Sequence, residues 1–133
     1  FTYANVETLT NDDRNYTGLN GYWTPAETGM IPSISVGYET GDGQGLPDST
    51  QWFIGAQWDE AGPGTFGVAY GTIGAYVGPV VDERDDDEFY MYEAFYSYAI
   101  NDGMTVTPLI YVKETAAGSD DLTGIMVKTS FSF

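Results

Sequence analysis

The run DLTGIMVKTSFSF, residues 121–133, ends the chain in a strict two-residue alternation. Ile125, Val127, Thr129, Phe131 and Phe133 fall on one side of an extended backbone, and Gly124, Met126, Lys128, Ser130 and Ser132 on the other. Side chains along a strand point alternately to opposite faces, so this stretch predicts a strand with one apolar face and one polar or small face.

The same division recurs upstream. In 104–114, Met104, Val106, Pro108, Ile110 and Val112 oppose Thr105, Thr107, Leu109, Tyr111 and Lys113. In 50–59, Trp52, Ile54, Ala56 and Trp58 oppose Gln51, Phe53, Gly55 and Gln57, so two tryptophans bracket an apolar stripe. Residues 31–40 set Pro32, Ile34, Val36 and Tyr38 against Ser33, Ser35, Gly37 and Glu39, whereas 88–100 carries aromatics on both faces. With 1–9, 18–24 and 65–77, this gives eight strands punctuated by Gly, Pro, Asn and Asp, and no helical period of useful length. The expected class is all-β and the whole of 1–133 reads as one segment.

No stretch approaches the roughly 20 apolar residues a membrane-spanning helix needs, so a membrane reading rests on strands of about 9–11 residues closed into an antiparallel barrel. The connections alternate in character. Asn101-Asp102-Gly103 and DEAGPG (59–64) lie at one end; NDDRNYTG (11–18), TGDGQGLPDS (40–49), GPVVDERDDDE (78–88) and TAAGSD (115–120) lie at the other, generally longer and more acidic. Outer-membrane barrels have short periplasmic turns and longer external loops. Gly103 is placed to supply a left-handed residue in a three-residue hairpin, which would pair Ile100 with Met104. Centring the last loop near Asp120 and Asp121 pairs Lys113 with Lys128 and Val112 with Thr129, and leaves Glu93 diagonal to Lys113.

The chain carries 20 Asp and Glu against 4 Lys and Arg, a net charge of -16, which repels phosphate backbones and makes nucleic acid an unsuitable partner. It has no Cys, hence no disulfide or thiolate metal site, and no His to act as a base, so no enzymatic activity is expected. The opening FTYANVETLT has neither a basic nor an apolar leader region, which favours a start inside a longer protein.

Two groups carry the functional expectation. Glu39, Gln57, Glu93, Lys113 and Lys128 share the polar parity, and charge on a lipid-facing surface costs about 2–4 kcal/mol for Arg or Lys near the midplane, so these residues are expected to face a water-filled interior. Asp82, Glu83, Asp85, Asp86, Asp87 and Glu88 form a loop that would attract cations. Its oxygens suit weakly held calcium, but the spacing is not that of an EF-hand; no metal site or other cofactor is assigned, and a solvated loop is the simpler account. Asn15-Tyr16-Thr17 matches a glycosylation acceptor and is read as loop composition.

GYWTPAETGMIPSISVGYE (21–39), QWFIGAQWDE (51–60), YEAFYSYAINDGMTVTPLIYV (92–112) and VKTSFSF (127–133) together resemble the C-terminal part of cyanobacterial outer-membrane porins, the OprB-like family with an upstream S-layer-homology domain. The resemblance implies a larger barrel of about 16 strands, a homotrimer in the outer-membrane bilayer, and passive passage of inorganic ions and small hydrophilic solutes, sugars among them. Two other readings remain open at this point. One is a soluble β-sandwich that stacks sugars on its aromatics and holds calcium in its acidic loops; the other is a small, non-conducting eight-stranded envelope barrel.

Overall fold

A computed structural model of the protein describes residues 2–7, 13–27, 29–43, 49–73, 89–115 and 120–132. Eight strands follow one another: β1 (Thr2–Glu7), β2 (Asp13–Trp23), β3 (Ser33–Gly43), β4 (Ser49–Ala61), β5 (Gly64–Ile73), β6 (Phe89–Asn101), β7 (Met104–Lys113) and β8 (Leu122–Phe131). The protein is all-β. Each strand pairs antiparallel with the next, in the order β1 to β8, as a single sheet that does not close on itself. From β2 onward the strands run 10 to 13 residues, long enough to cross a bilayer core at a tilt.

A sheet normally buries one face against a second layer. Here, among the described residues, no hydrophobic side chain is buried; Ile125 is 77% exposed, Val127 61% and Ile54 46%. A β-sandwich needs two stacked sheets, and the described residues form one.

The two short connections are built alike. Ala61 pairs with Gly64 across Gly62-Pro63, and Asn101 with Met104 across Asp102-Gly103; each hairpin carries a register shift just before its turn. Gly62 takes the left-handed φ of 67° that glycine allows without strain, and the Tyr96 hydroxyl donates to the Ala61 carbonyl at 2.9 Å. At the second hairpin, the Asn101 carboxamide oxygen accepts the Gly103 N–H at 2.9 Å, an Asx turn that organises the corner. The left-handed glycines among the described residues are Gly29 and Gly62, so Gly103 does not take the expected left-handed role. Ile100 is the residue set aside at the register shift, and Met104 faces Asn101 in its place.

Two further expectations change. Residues 13–17 and 41–43, expected in loops, belong to β2 and β3, and Asn15-Tyr16-Thr17 pairs with Thr40-Gly41-Asp42. Lys113 faces Leu122, and Lys128 faces Thr107, so the two lysines do not meet. The true register is offset by six residues from the expected one. Because strand facing repeats every two residues, an even offset leaves every side chain on its expected face. Like charges directly opposed would also weaken the pair, a cost the observed register avoids.

Candidate functional site

The site is the sheet itself, since its two faces have different chemistry. Directly paired residues share a face, so the register assigns them. One face carries Ile34 and Val36 on β3, Ile54 and Ala56 on β4, Val68 on β5, Ala94 on β6, Ile110 and Val112 on β7, and Ile125 and Val127 on β8. A shallow apolar groove of about 490 Å³ runs across it, lined by Ile34, Ile54, Ala56, Val68, Ala94 and Ile110.

Aromatic side chains border this aliphatic band at both ends. Towards the long loops lie Tyr38, Trp52, Tyr70, Tyr90 and Tyr92; the Trp52 and Tyr70 rings meet edge-on at 5.4 Å, and Tyr70 stacks on Tyr92 at 4.6 Å and on Tyr90 at 5.6 Å. Towards the short turns lie Trp23, Trp58, Phe66, Tyr96 and Tyr98, with Trp58 and Phe66 stacked at 5.8 Å. The Trp58 indole N–H donates to the Met30 carbonyl at 3.2 Å, fixing the ring against the 24–32 connection. From Tyr90 to Tyr98, the outer aromatics of the two rows on β6, this face spans roughly 26 Å of strand, at about 3.3 Å per residue. Among the described residues, no Asp, Glu, Lys or Arg stands on this face between the two aromatic rows.

The opposite face holds all five residues expected to face water. Glu39 pairs with Gln51, Gln57 with Ser33, Glu93 with Tyr111, Lys113 with Met91 and Lys128 with Thr107. Glu93 and Lys113 are diagonal neighbours, as expected. Thr107 also donates to the Ser97 hydroxyl at 3.0 Å, so the polar face carries its own cross-strand bonds. Asp82, Glu83, Asp85, Asp86, Asp87 and Glu88 lie outside the described residues, as do most of the other long-loop residues and Phe133. Among the described residues no group of acidic side chains could hold a metal ion.

Sequence reading missed how the aromatics of this polar face are used. Phe53 lies between Gly37 and Gly71, Phe95 faces Gly67, Tyr111 faces Gly124 and Tyr16 faces Gly41. A Cβ added at Gly37, Gly67 or Gly124 would collide with the facing ring. The rings therefore lie flat over backbone, the arrangement by which an aromatic shields a strand glycine. Flat rings keep this wall thin and leave space in front of it. The signal was present as Phe or Tyr and Gly at matched positions on adjacent strands, but it becomes legible only with the register.

The described residues thus define a class, a single-layer antiparallel sheet with an apolar face that none of them covers and a polar face. Compared with known protein families, curated proteins and solved structures, the chain finds no match.

Proposed function

We propose that this sheet is part of the wall of an outer-membrane β-barrel porin, of the OprB-like kind that the sequence resembles. The wall would pass inorganic ions and small hydrophilic solutes by diffusion. The observation that carries the reading is the aliphatic band between two aromatic rows, which among the described residues holds no charge and is covered by no other part of the chain. Barrels present this pattern to lipid, with aromatics at the two interfaces and aliphatics between. The polar face, with Glu39, Gln57, Glu93, Lys113 and Lys128, then lines the water-filled bore.

The same reading sets a requirement on the edges. Unpaired backbone groups in hydrocarbon cost several kcal/mol each, so the open edges of β1 and β8 must pair with further strands. Trimer formation in the bilayer is part of this proposal, and the acidic outer loops would enrich cations at the mouth.

Reconstitution in planar lipid bilayers tests it. The expected result is stepwise conductance favouring cations, with the preference increased by Lys128→Glu through the added negative charge in the bore. A protein that remains monodisperse in buffer without detergent and adds no conductance to the bilayer overturns the reading.

A further inference from the structure

The polar face contains a hollow of about 260 Å³ at the β2–β4 end. Its floor is backbone at the buried glycines Gly18 and Gly37. Glu39 stands directly between Gly18 and Gln51 on the neighbouring strands, and one step along, Asn20, Gly37 and Phe53 form the next row. Asn20 and Phe53 both lean over Gly37: a Cβ there would meet the Asn20 side-chain oxygen at 2.8 Å as well as the Phe53 ring. Phe53 remains 44% exposed, so one face of its ring is open to the hollow.

These groups suit one ligand chemistry. Among the described residues lining the hollow, Glu39 alone is charged, and it is negative. The amides of Asn20 and Gln51 offer carbonyl acceptors beside it. An exposed aromatic face attracts a cation and accepts an alkyl chain. An ammonium needs acceptors on several sides because all of its N–H groups donate. Lys113 shares the Phe53 row but lies on β7, four strands from Glu39 on β3, roughly 19 Å at about 4.8 Å per strand and too far to neutralise Glu39 by contact.

We propose that this hollow is a binding subsite for primary alkylammonium ions, with the ammonium on Glu39, Asn20 and Gln51 and the alkyl chain on Phe53. It rests on the pore reading only for its route of access. A test by binding rather than conductance therefore separates the two. Butylammonium is titrated into the protein in detergent micelles at about 150 mM salt, where the general field of the acidic chain is screened beyond roughly 8 Å. Phe53 ring and Gly37 amide resonances report binding, with butanol as the neutral probe.

The expected result is saturable shifts with butylammonium, at least tenfold weaker binding in Glu39→Gln, and less than twofold change in Glu93→Gln on the same face. Phe53→Leu, which keeps an apolar cover over Gly37, should weaken binding severalfold while leaving the amide spectrum folded. Equal weakening by Glu39→Gln and Glu93→Gln, or equal shifts with butanol, overturns the subsite whether or not the protein conducts. Absent conductance with intact selective binding would instead remove the pore reading and leave the subsite standing.

Discussion

Replacing Ala94 by Arg places a charge in the middle of the apolar band and measures what surrounds that face. Ala94 sits midway between Tyr90 and Tyr98 on β6, and its side chain lies between Val68 and Ile110 on the neighbouring strands. Each aromatic is about 13 Å away along the strand at roughly 3.3 Å per residue. At a barrel tilt of about 40° that corresponds to roughly 10 Å of depth. An Arg at the midplane of a barrel's lipid face costs about 2–4 kcal/mol. Its long side chain can reach part of the way to an interface, which takes the expectation to about 2–3 kcal/mol, or roughly a 30- to 150-fold loss in the folding equilibrium.

The assay is reversible denaturant titration of the protein in lipid vesicles, followed by tryptophan fluorescence. Two controls isolate the environment from the local geometry. Ala94→Leu adds bulk without charge and should be neutral or stabilising in lipid. Met126→Arg puts the same charge on the polar face and should cost less than about 1 kcal/mol, because that side chain would remain hydrated. If Ala94→Arg is as well tolerated as Ala94→Leu, or Met126→Arg costs as much as Ala94→Arg, the assignment of the two faces is wrong.

Gly67→Ala should destabilise by about 1–3 kcal/mol, the usual cost of overpacking, since its new methyl group would strike the Phe95 ring. In the same titration, adding Phe95→Ala should make the pair of changes cost less than the sum of the two alone, since the clash is then absent. Trp58→Phe keeps the stack on Phe66 but loses the hydrogen bond to the Met30 carbonyl, a net loss of about 0.5–1.5 kcal/mol. Protease cleavage within 24–32 should become faster in that variant, read by mass spectrometry of the fragments.

Much of this arrangement could be read from the residues alone, and the boundary between what could and could not be read has a physical cause. Facing depends on parity within one strand, so Ile125 with Val127, and Lys128 with Met126, could be sorted without knowing any partner. Pairing depends on where a loop turns. The six-residue offset between β7 and β8 arose because TAAGSD has no unique turn centre, and the observed ladder takes Lys113 to Leu122. At Asn101-Asp102-Gly103 the local chemistry pointed to a tight corner, which is present. The register shift at Ile100 could not be seen because it depends on how β6 meets β7 over its length. The aromatic content on both sides of 88–100 looked like a blurred pattern; Phe95 over Gly67 and Tyr96 against Ala61 give the two sides separate tasks.

The uncovered face and the open edges constrain the environment jointly. Burying a side chain such as Ile125, Val127 or Ile54 stabilises by about 1.5–3 kcal/mol each relative to water, so a sheet exposing a whole row of them needs a cover. A soluble partner could cover the face and pair with the edges as well. Hydrocarbon covers the face at no cost to the aliphatic band, and the aromatic rows match its two interfaces, but lipid supplies no hydrogen bonds to β1 or β8. Cross-linking from cysteines introduced on the two edges, at Tyr3 and at Ile125, therefore discriminates. In a completed barrel each edge should cross-link to a strand from this protein or a further part of its polypeptide, whereas linkage to a separate soluble protein would place the apolar face in a protein interface and not in a membrane.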